Sequence, residues 1–265
     1  MYPLINIFGR EISTYGLFGI LGCIVSVYFF YQHTKSHFFI IEDVFLLAIP
    51  TFIGALIGGH LVFGLTNFDL IIILVKNIHR LSLKQFFGLL AAVFSGSVFY
   101  GGFLGALTAF GIFTRKHRES FRQKLMDTFA VTVPLFHVFG RIGCFLGGCC
   151  YGIESEFGLT ANNNRFVPEL NGVCRFPTQL LEALGNLTVF VILFYIYKHK
   201  FIKGKFIFVY MIMYSVLRFC IEFLRGDVSR GIYFGISVSQ WISIVLFIIS
   251  LVYIITQNIK RDAVT

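Results

Sequence analysis

One glycine-rich stretch places an arginine near the end of a long apolar run. Residues 140–152 read GRIGCFLGGCCYG, and Arg141 is the one charged residue among them. A charged side chain at membrane depth is costly and usually faces a partner or a water-filled cavity. Glycines let a second helix or a ligand approach the backbone closely. The stretch is therefore either a helix-packing seam with a snorkelling arginine or an anion site in a membrane protein.

A second group of charges lies further along the chain, within another apolar run. Arg218, Glu222 and Arg225 are spaced to share one helical face. They could form a structural ion-pair ladder, although arginine before glutamate is the weaker orientation for a helical pair. Two arginines could instead hold a phosphodiester while its charge changes, because each guanidinium offers a planar donor fork. A carboxylate beside them could act as a general base.

Three cysteines follow Arg141, at positions 144, 149 and 150. Their spacing does not form repeated C-x-x-C pairs, so we predict neither a metal site nor a cofactor. If the polar loop after Tyr151 is external, Cys149 or Cys150 could form a disulfide with Cys174 in that oxidising space.

The composition indicates a membrane protein. The chain of 265 residues is 57% hydrophobic, 18% aromatic and only 13% charged, whereas a soluble domain carries about 25% charged residues. Apolar runs of about 20 residues recur between short charged loops. The net charge of +9 therefore suggests cytoplasmic loops rather than nucleic-acid binding. No cleavable signal peptide is expected from the first apolar run.

These patterns predict an all-α polytopic integral membrane protein with seven transmembrane helices in a single domain over residues 1–265. The predicted spans are about 15–32, 44–65, 86–113, 126–145, 178–197, 206–224 and 234–256, and the external loop is 151–176. Residues 68–85 contain an apolar run too short to cross, which suggests an interfacial segment.

Basic residues set the expected orientation. They crowd the loops after the third and fifth spans and the C-terminal tail, so the C-terminus is predicted to be cytoplasmic and the N-terminus outside. Lys76, Arg80 and Lys84 oppose this assignment.

The unusual polar residues are expected at similar depths in the membrane. At 1.5 Å per residue, Arg141 lies about 25 Å beyond the cytoplasmic Lys124, and Arg218 about 20 Å beyond Lys205. Both arginines are thus expected toward the outer leaflet, on different helices. Other polar residues near the outer ends of their spans are Tyr15, His60, Gln179, Glu182 and Gln240. His137 shares the face of Arg141, where it is either a hydrogen-bonded packing residue or part of the site.

The sequence Gly140-Arg141-Ile142-Gly143 and the glycines after it resemble the signature of prolipoprotein diacylglyceryl transferases. Five further stretches are similar to that family in order and spacing. They are Tyr15-Gly16-Leu17, residues 100–105 (YGGFLG), residues 176–182 (FPTQLLE), residues 218–225 (RFCIEFLR) and Ser239-Gln240-Trp241. The resemblance covers nearly the whole chain.

The resemblance implies a multi-pass enzyme of the bacterial inner membrane. It would transfer the diacylglyceryl group of phosphatidylglycerol to the thiol of a lipobox cysteine in a secreted prolipoprotein, releasing glycerol phosphate. The catalytic candidates are Arg141, Arg218, Glu222 and Tyr100. The substrate-binding candidates are Tyr15, His60, His137, Gly143, Gln179, Glu182, Arg225 and Gln240. Membrane lipid and the prolipoprotein are the implied partners, without metal, cofactor or nucleic acid.

Several positions depart from the family pattern. The chain has Tyr100, Cys144, Cys149, His60 and Phe176 where the family has histidine, asparagine, glutamate, arginine and histidine. A tyrosine with a pKa near 10 is a poor base at neutral pH, so the thiol proton would go to Glu222, His137 or water. A divergent paralogue acting on another lipid or thiol is therefore one alternative. A lipid-binding or transport protein without chemistry is another, although the paired repeats typical of transporters are not evident.

Overall fold

A computed structural model describes residues 2–7, 9–66, 68–77, 79–162, 164–227 and 231–262. In these residues the chain forms nine α-helices, one short 3-10 helix at Pro168–Leu170 and three antiparallel strand pairs. The helices are α1 (Thr14–Thr34), α2 (Ile41–Thr66), α3 (Phe68–Asn77), α4 (Leu83–Val93), α5 (Phe99–Thr114), α6 (Glu119–Gly147), α7 (Thr178–Lys198), α8 (Phe206–Glu222) and α9 (Val238–Asp262). The strands are β1 (Leu4–Ile7) with β2 (Arg10–Ser13), β3 (Glu154–Thr160) with β4 (Cys174–Arg175), and β5 (Ile232–Tyr233) with β6 (Ile236–Ser237).

Five helices in the described part of the chain are long and apolar enough to cross a membrane, namely α1, α2, α6, α7 and α9. Most of the residues in four of their apolar windows are not buried by the protein itself; α6 alone has half of its window buried. Exposed apolar side chains along such helices require a lipid environment. The predicted class, an all-α membrane protein, is confirmed.

The third predicted span, 86–113, is wrong as a single helix. The chain breaks between α4 and α5 at a Phe-Ser-Gly-Ser-Val sequence, whose small polar residues favour a turn over a helix. Helix α2 supplies partners for the backbone exposed there. The Val98 N–H donates to the Gly59 carbonyl over 3.2 Å, and His60 Nδ1 lies 2.8 Å from the Phe94 carbonyl oxygen. Apolar periodicity alone contains no information about these contacts between helices.

The described chain divides into two compact units, one of residues 36–122 and one of residues 1–35 and 123–265. In the first unit, α2 and α5 pack with their backbones in direct contact. A Cβ atom at Gly54 would lie 2.6 Å from the Gly105 carbonyl oxygen, and one at Gly58 would overlap the carbonyl oxygen of Gly101. Glycine is therefore required for this approach, as in other close helix pairs in membranes.

Alanine at Gly58 is expected to destabilise the protein by about 1–3 kcal/mol, the usual cost of overpacking a well-packed interior. Gly111 on α5 is the matched control, since a Cβ there would have no neighbour within 4 Å. Thermal unfolding of both variants in detergent measures the difference. Equal stability of Gly58→Ala and Gly111→Ala would contradict the close α2–α5 packing.

In the second unit, a short backbone junction ties the ends of three helices together. The Ile153 N–H donates to the Leu224 carbonyl, and the Gly226 N–H donates to the Tyr151 carbonyl, over 3.0 and 2.9 Å. The Phe176 N–H, just before α7, donates to the Ile153 carbonyl over 2.9 Å. The chain leaving α6 is thus hydrogen-bonded to the segments after α8 and before α7. This junction positions the polar residues at the ends of these three helices.

Candidate active site

Glu182 on α7 is the centre of a buried cluster of charges. Glu182 is only 1% exposed, and four side chains from α6 and α8 converge on its carboxylate, including His137, whose Nε2 lies 3.8 Å from Oε1. Arg141 Nη2 of α6 lies 3.0 Å from Oε1, and Arg218 Nη1 of α8 lies 3.5 Å from Oε2. The Tyr214 hydroxyl donates to Oε1 over 3.2 Å. Two arginines that are 77 residues apart in sequence therefore share one carboxylate.

His137 lies one helical turn before Arg141 and binds the same guanidinium. Arg141 Nε donates to His137 Nε2 over 3.1 Å, so Nε2 is an acceptor and the imidazole is neutral. The ring also packs against the Tyr214 ring, with centroids 5.1 Å apart. These contacts leave Arg141 little freedom to rotate.

The second set of charges forms a chain along the end of α8. Arg218 Nη2 lies 2.6 Å from Glu222 Oε2, and Arg225 Nη1 lies 3.8 Å from the same oxygen. Arg225 also pairs with Asp227, its Nε donating to Oδ1 over 2.9 Å. The expected shared face is present for Arg218 and Glu222, whereas Arg225 lies beyond the end of α8 and contacts Glu222 from the following segment. The ladder and the arginine site are not alternatives, since Arg218 pairs with carboxylates on both α7 and α8.

The cluster balances three guanidinium groups with three carboxylates. Removing one partner from such a buried network leaves an uncompensated charge, which is strongly destabilising. Arg141 nevertheless has donors beyond those that bind His137 and Glu182. Contacts between Arg141 and the described residues use two of its five N–H donors, to His137 and Glu182. Arg141 can therefore donate to the oxygens of an anion while His137 and Glu182 hold it in place.

Four other predicted site residues lie in the same unit. The Gln179 amide donates to the Cys149 carbonyl over 2.8 Å, which fixes the turn after α6 to the start of α7. The Gln240 side chain accepts from the Ser237 N–H over 2.9 Å and serves as a helix cap. Tyr15 is 53% exposed, and a Cβ at Gly143 would lie 3.3 Å from the Cα of Tyr15. Roles for these residues in substrate binding remain predictions.

Tyr100 and His60 belong to the other unit. Tyr100 is 2% exposed on α5, next to the ring of Phe99. His60 contacts the Phe94 carbonyl oxygen at the break between α4 and α5. That Tyr100 and His60 belong to one site with Arg141 remains a prediction.

The predicted disulfide between Cys174 and Cys149 or Cys150 is wrong. All six cysteines in the described chain are free thiols. The sulfur atoms of Cys149 and Cys150 lie within 4.8 Å of each other and of Cys144, whereas Cys174 pairs with Thr160 in the β3–β4 ladder. The turn after α6 sends these two side chains back toward the helix rather than toward the external loop.

Three residues of the cluster were missed by sequence reasoning. Tyr214 lies four residues before Arg218, Asn186 lies four residues after Glu182 and donates to its carbonyl, and Ser239 accepts from Arg218 Nη2 over 3.4 Å. Tyr214 and Asn186 each lie four residues from a charged residue, and this spacing was the sequence signal that could have identified them. Ser239 had no such signal, because its contact joins two helices.

Comparisons with known proteins identify the family of this chain. A model of the family described as prolipoprotein diacylglyceryl transferase matches residues 3–256. A phosphatidylglycerol–prolipoprotein diacylglyceryl transferase of Clostridium tetani is 32% identical over 97% of each chain. The protein of that name from Campylobacter hominis is 31% identical over 92% of this chain and 86% of its own length. A second such transferase of Clostridium perfringens is 31% identical over 92% of this chain and 90% of its own length. The chain belongs to the prolipoprotein diacylglyceryl transferase family.

Proposed function

We propose that this protein transfers the diacylglyceryl group of phosphatidylglycerol to the lipobox cysteine of a secreted prolipoprotein. The observation that carries the proposal is the convergence of Arg141 and Arg218 on Glu182, inside a chain that belongs to this transferase family. A buried pair of oriented guanidinium groups is suited to a phosphodiester that leaves as a phosphate monoester.

The reaction exchanges one bond at a glycerol carbon. The acceptor sulfur forms a C–S bond to the diacylglyceryl carbon as the C–O bond to phosphate breaks. The electron pair of the broken bond stays on the leaving phosphate, which departs as glycerol phosphate. The thiol proton goes to a base or to water, and the product is a thioether. Negative charge therefore grows on the phosphate oxygens, where guanidinium donors stabilise it most.

The carboxylates hold the arginines in position for this step. Glu182 contacts both guanidinium groups, and Glu222 contacts Arg218 from the other side. Donors that are fixed before the reaction need no reorganisation as charge develops. The contacts of Glu222 with Arg218 and Arg225 fit such a positioning role better than proton transfer.

An apolar cavity of about 250 Å³ lies between α8 and α9. It is lined by Ser215, Val216, Phe219, Cys220, Ser243, Ile244 and Phe247. Ser215 and Phe219 flank Arg218 along the same helix. The apolar lining of this cavity suits part of a lipid acyl chain.

The finer topology is part of the proposal. We place the protein in the bacterial inner membrane with seven spans, the N-terminus outside, the C-terminus in the cytoplasm and the loop 151–176 outside. The distribution of lysine and arginine supports this orientation. It puts the arginine cluster toward the outer leaflet, where a secreted precursor is accessible.

Reporter fusions are expected to report cytoplasm after Lys124, after Lys203 and at Thr265, which lies outside the described residues. Fusions within 162–164 and near Asp227 are expected to report the external side. The charge asymmetry of the loops is the physical reason. A cytoplasmic signal from 162–164 would contradict the outer-leaflet site.

Mass spectrometry of a reconstituted reaction tests the function directly. Purified protein is mixed with phosphatidylglycerol and a peptide containing a lipobox cysteine. The expected products are a diacylglyceryl thioether peptide and an equal amount of glycerol phosphate. A peptide with serine in place of the cysteine is the control and gives neither product. Absence of both products with the cysteine peptide would contradict the proposal.

Tyr100, Cys144 and Cys149 favour one second candidate, a paralogue that uses another lipid or thiol. That candidate predicts an inactive parent with phosphatidylglycerol but thioether formation with a different phospholipid or thiol. Under the first proposal, Tyr100→His retains or raises activity with phosphatidylglycerol. Testing phospholipids with other headgroups in the same assay separates the two.

A further inference from the structure

The three cysteines after Arg141 form one compact group of sulfur atoms. Cys144 is in the last turn of α6, and Cys149 and Cys150 follow in the next turn of chain. The three sulfurs all lie within 4.8 Å of one another. In a thiolate site with metal–sulfur bonds of about 2.3 Å, the sulfurs lie about 3.8 Å apart. A small side-chain movement is enough to close this group around one ion.

The backbone that carries the group is held from several sides. The N–H groups of Gly148 and Cys149 both donate to the Cys144 carbonyl, over 2.9 and 3.1 Å. The Gln179 amide and the Thr178 hydroxyl of α7 donate to the carbonyls of Cys149 and Cys150, over 2.8 and 3.1 Å.

The conformation of Cys150 confirms that the turn is held. Its φ of 55° is in the left-handed region, which a residue with a Cβ atom rarely adopts. The neighbouring hydrogen bonds maintain this conformation, and it points the sulfur toward Cys144 and Cys149. The sulfur positions are thus largely preset, as a metal site requires.

Positive charge is available beside the sulfurs. Arg141 interacts electrostatically with all three cysteines, and Arg225 interacts with Cys150. Three thiolates bound to one metal ion carry a net negative charge, which is costly to bury unless cations compensate it. The two arginines reduce this cost, and the site is then electrostatically continuous with the Glu182 cluster.

We propose that Cys144, Cys149 and Cys150 bind one thiophilic metal ion of the Zn²⁺ or Cu⁺ class. Soft thiolate ligands select these ions over Mg²⁺ or Ca²⁺. Three sulfurs complete a trigonal Cu⁺ site, whereas Zn²⁺ takes four ligands and adds a water molecule. The ion joins the end of α6 to the turn that α7 holds, and so fixes the helix end that carries Arg141. The sequence spacing alone does not predict this site, because only the fold brings Cys144 back to Cys149.

The test uses the full chain in detergent, reduced and kept under argon. Zn²⁺ is added in one arm and Cu⁺ in the other, followed by a competing chelator and elemental analysis of the protein fraction. The site variant replaces Cys144, Cys149 and Cys150 with serine. The matched control replaces the other three cysteines, Cys23, Cys174 and Cys220, with serine. Both variants therefore lose the same number of thiols.

The parent and the matched control are expected to retain about one ion per chain in at least one arm. The site variant is expected to retain less by more than about tenfold. The proposal is overturned if the parent retains neither metal, or if the site variant retains as much as the control. If the site variant does not fold, Co²⁺ loading of the parent and of Cys149→Ser decides. Thiolate-to-cobalt charge-transfer absorption must then be present in the parent and weakened in the variant. None of these measurements depends on transfer activity.

Discussion

Lysine in place of Arg141 or Arg218 is expected to lower the transfer rate per folded molecule by about a hundredfold or more. Lysine keeps the positive charge but loses the planar donor fork. Arg141 uses that fork to bind the Glu182 carboxylate and the His137 imidazole at the same time. An ammonium group cannot reproduce these directions and also face a phosphate. The transfer rate should therefore fall although the net charge of the protein is unchanged.

Arg165→Lys is the control for this pair of variants, because Arg165 is an exposed loop residue whose side chain is 80% exposed. Its transfer rate should match that of the parent. Folded protein is measured in parallel by gel filtration in detergent. Arginines with only a structural role would reduce the yield of folded protein and leave the rate per folded molecule unchanged. Parental rates in both Arg141→Lys and Arg218→Lys would mean that the phosphate-site assignment is wrong.

The long helices were predictable because the bilayer imposes a simple pattern on the sequence. The predicted spans 15–32, 44–65 and 178–197 each differ from α1, α2 and α7 by at most three residues at either end. Their ends coincide with charged or polar loops, which hydropathy detects directly. The last span was less well placed, since β5 and β6 occupy the residues before α9.

The broken third span shows what hydropathy leaves out. Residues 86–113 are mostly apolar, so their mean composition predicts one helix. The break is stabilised by α2, where the Gly59 carbonyl accepts from the Val98 N–H and His60 Nδ1 lies 2.8 Å from the Phe94 carbonyl oxygen. Backbone N–H and C=O groups can lie outside a helix within an apolar stretch when a neighbouring helix provides their hydrogen-bond partners. The small polar residues 95–97 favour a turn locally, but the contacts that stabilise the break come from α2 and are not visible in the local sequence.

The candidate site was predictable within each helix and not between helices. The spacing of Arg218 and Glu222 predicted their shared face, because helical periodicity is a local property, whereas Arg225 lies beyond the end of α8. Glu182 was expected only as a substrate-binding residue at the outer end of its span. Its contacts with both Arg141 and Arg218 arise from the packing of α7 against its neighbours. The cysteine disulfide was mispredicted for the same reason, since the turn after α6 decides which sulfurs meet.

The largest stability effect is expected for Glu182→Gln. The carboxylate is the shared partner of two buried guanidinium groups, and glutamine keeps its shape while removing its charge. Breaking a buried ion pair by removing one partner costs about 3–5 kcal/mol. Thermal or denaturant unfolding in detergent measures the loss. Glu156→Gln, an exposed residue of β3, is the control and should leave stability unchanged.

A double variant separates the ion pair from simple packing. Glu182→Gln leaves Arg141 and Arg218 without their shared anion, so also removing the charge of Arg141 should restore part of the lost stability. The coupling between positions 141 and 182 in a double-mutant cycle is the relevant quantity. Additive losses for Glu182→Gln and Arg141→Gln would contradict a coupled pair, even if each single variant is destabilised.

Anion rescue connects this stability effect to the proposed chemistry. If Arg141 and Arg218 form a phosphate site, glycerol phosphate can supply the negative charge that Glu182→Gln lacks. Its binding to the folded state alone raises stability by about 2.7 kcal/mol at a concentration a hundred times the dissociation constant. The unfolding temperature of Glu182→Gln should therefore rise more with glycerol phosphate than with an equal concentration of chloride, and more than that of Glu182→Gln/Arg141→Gln. Equal effects of the two anions on Glu182→Gln would contradict a phosphate site and leave the arginines as a structural ion pair.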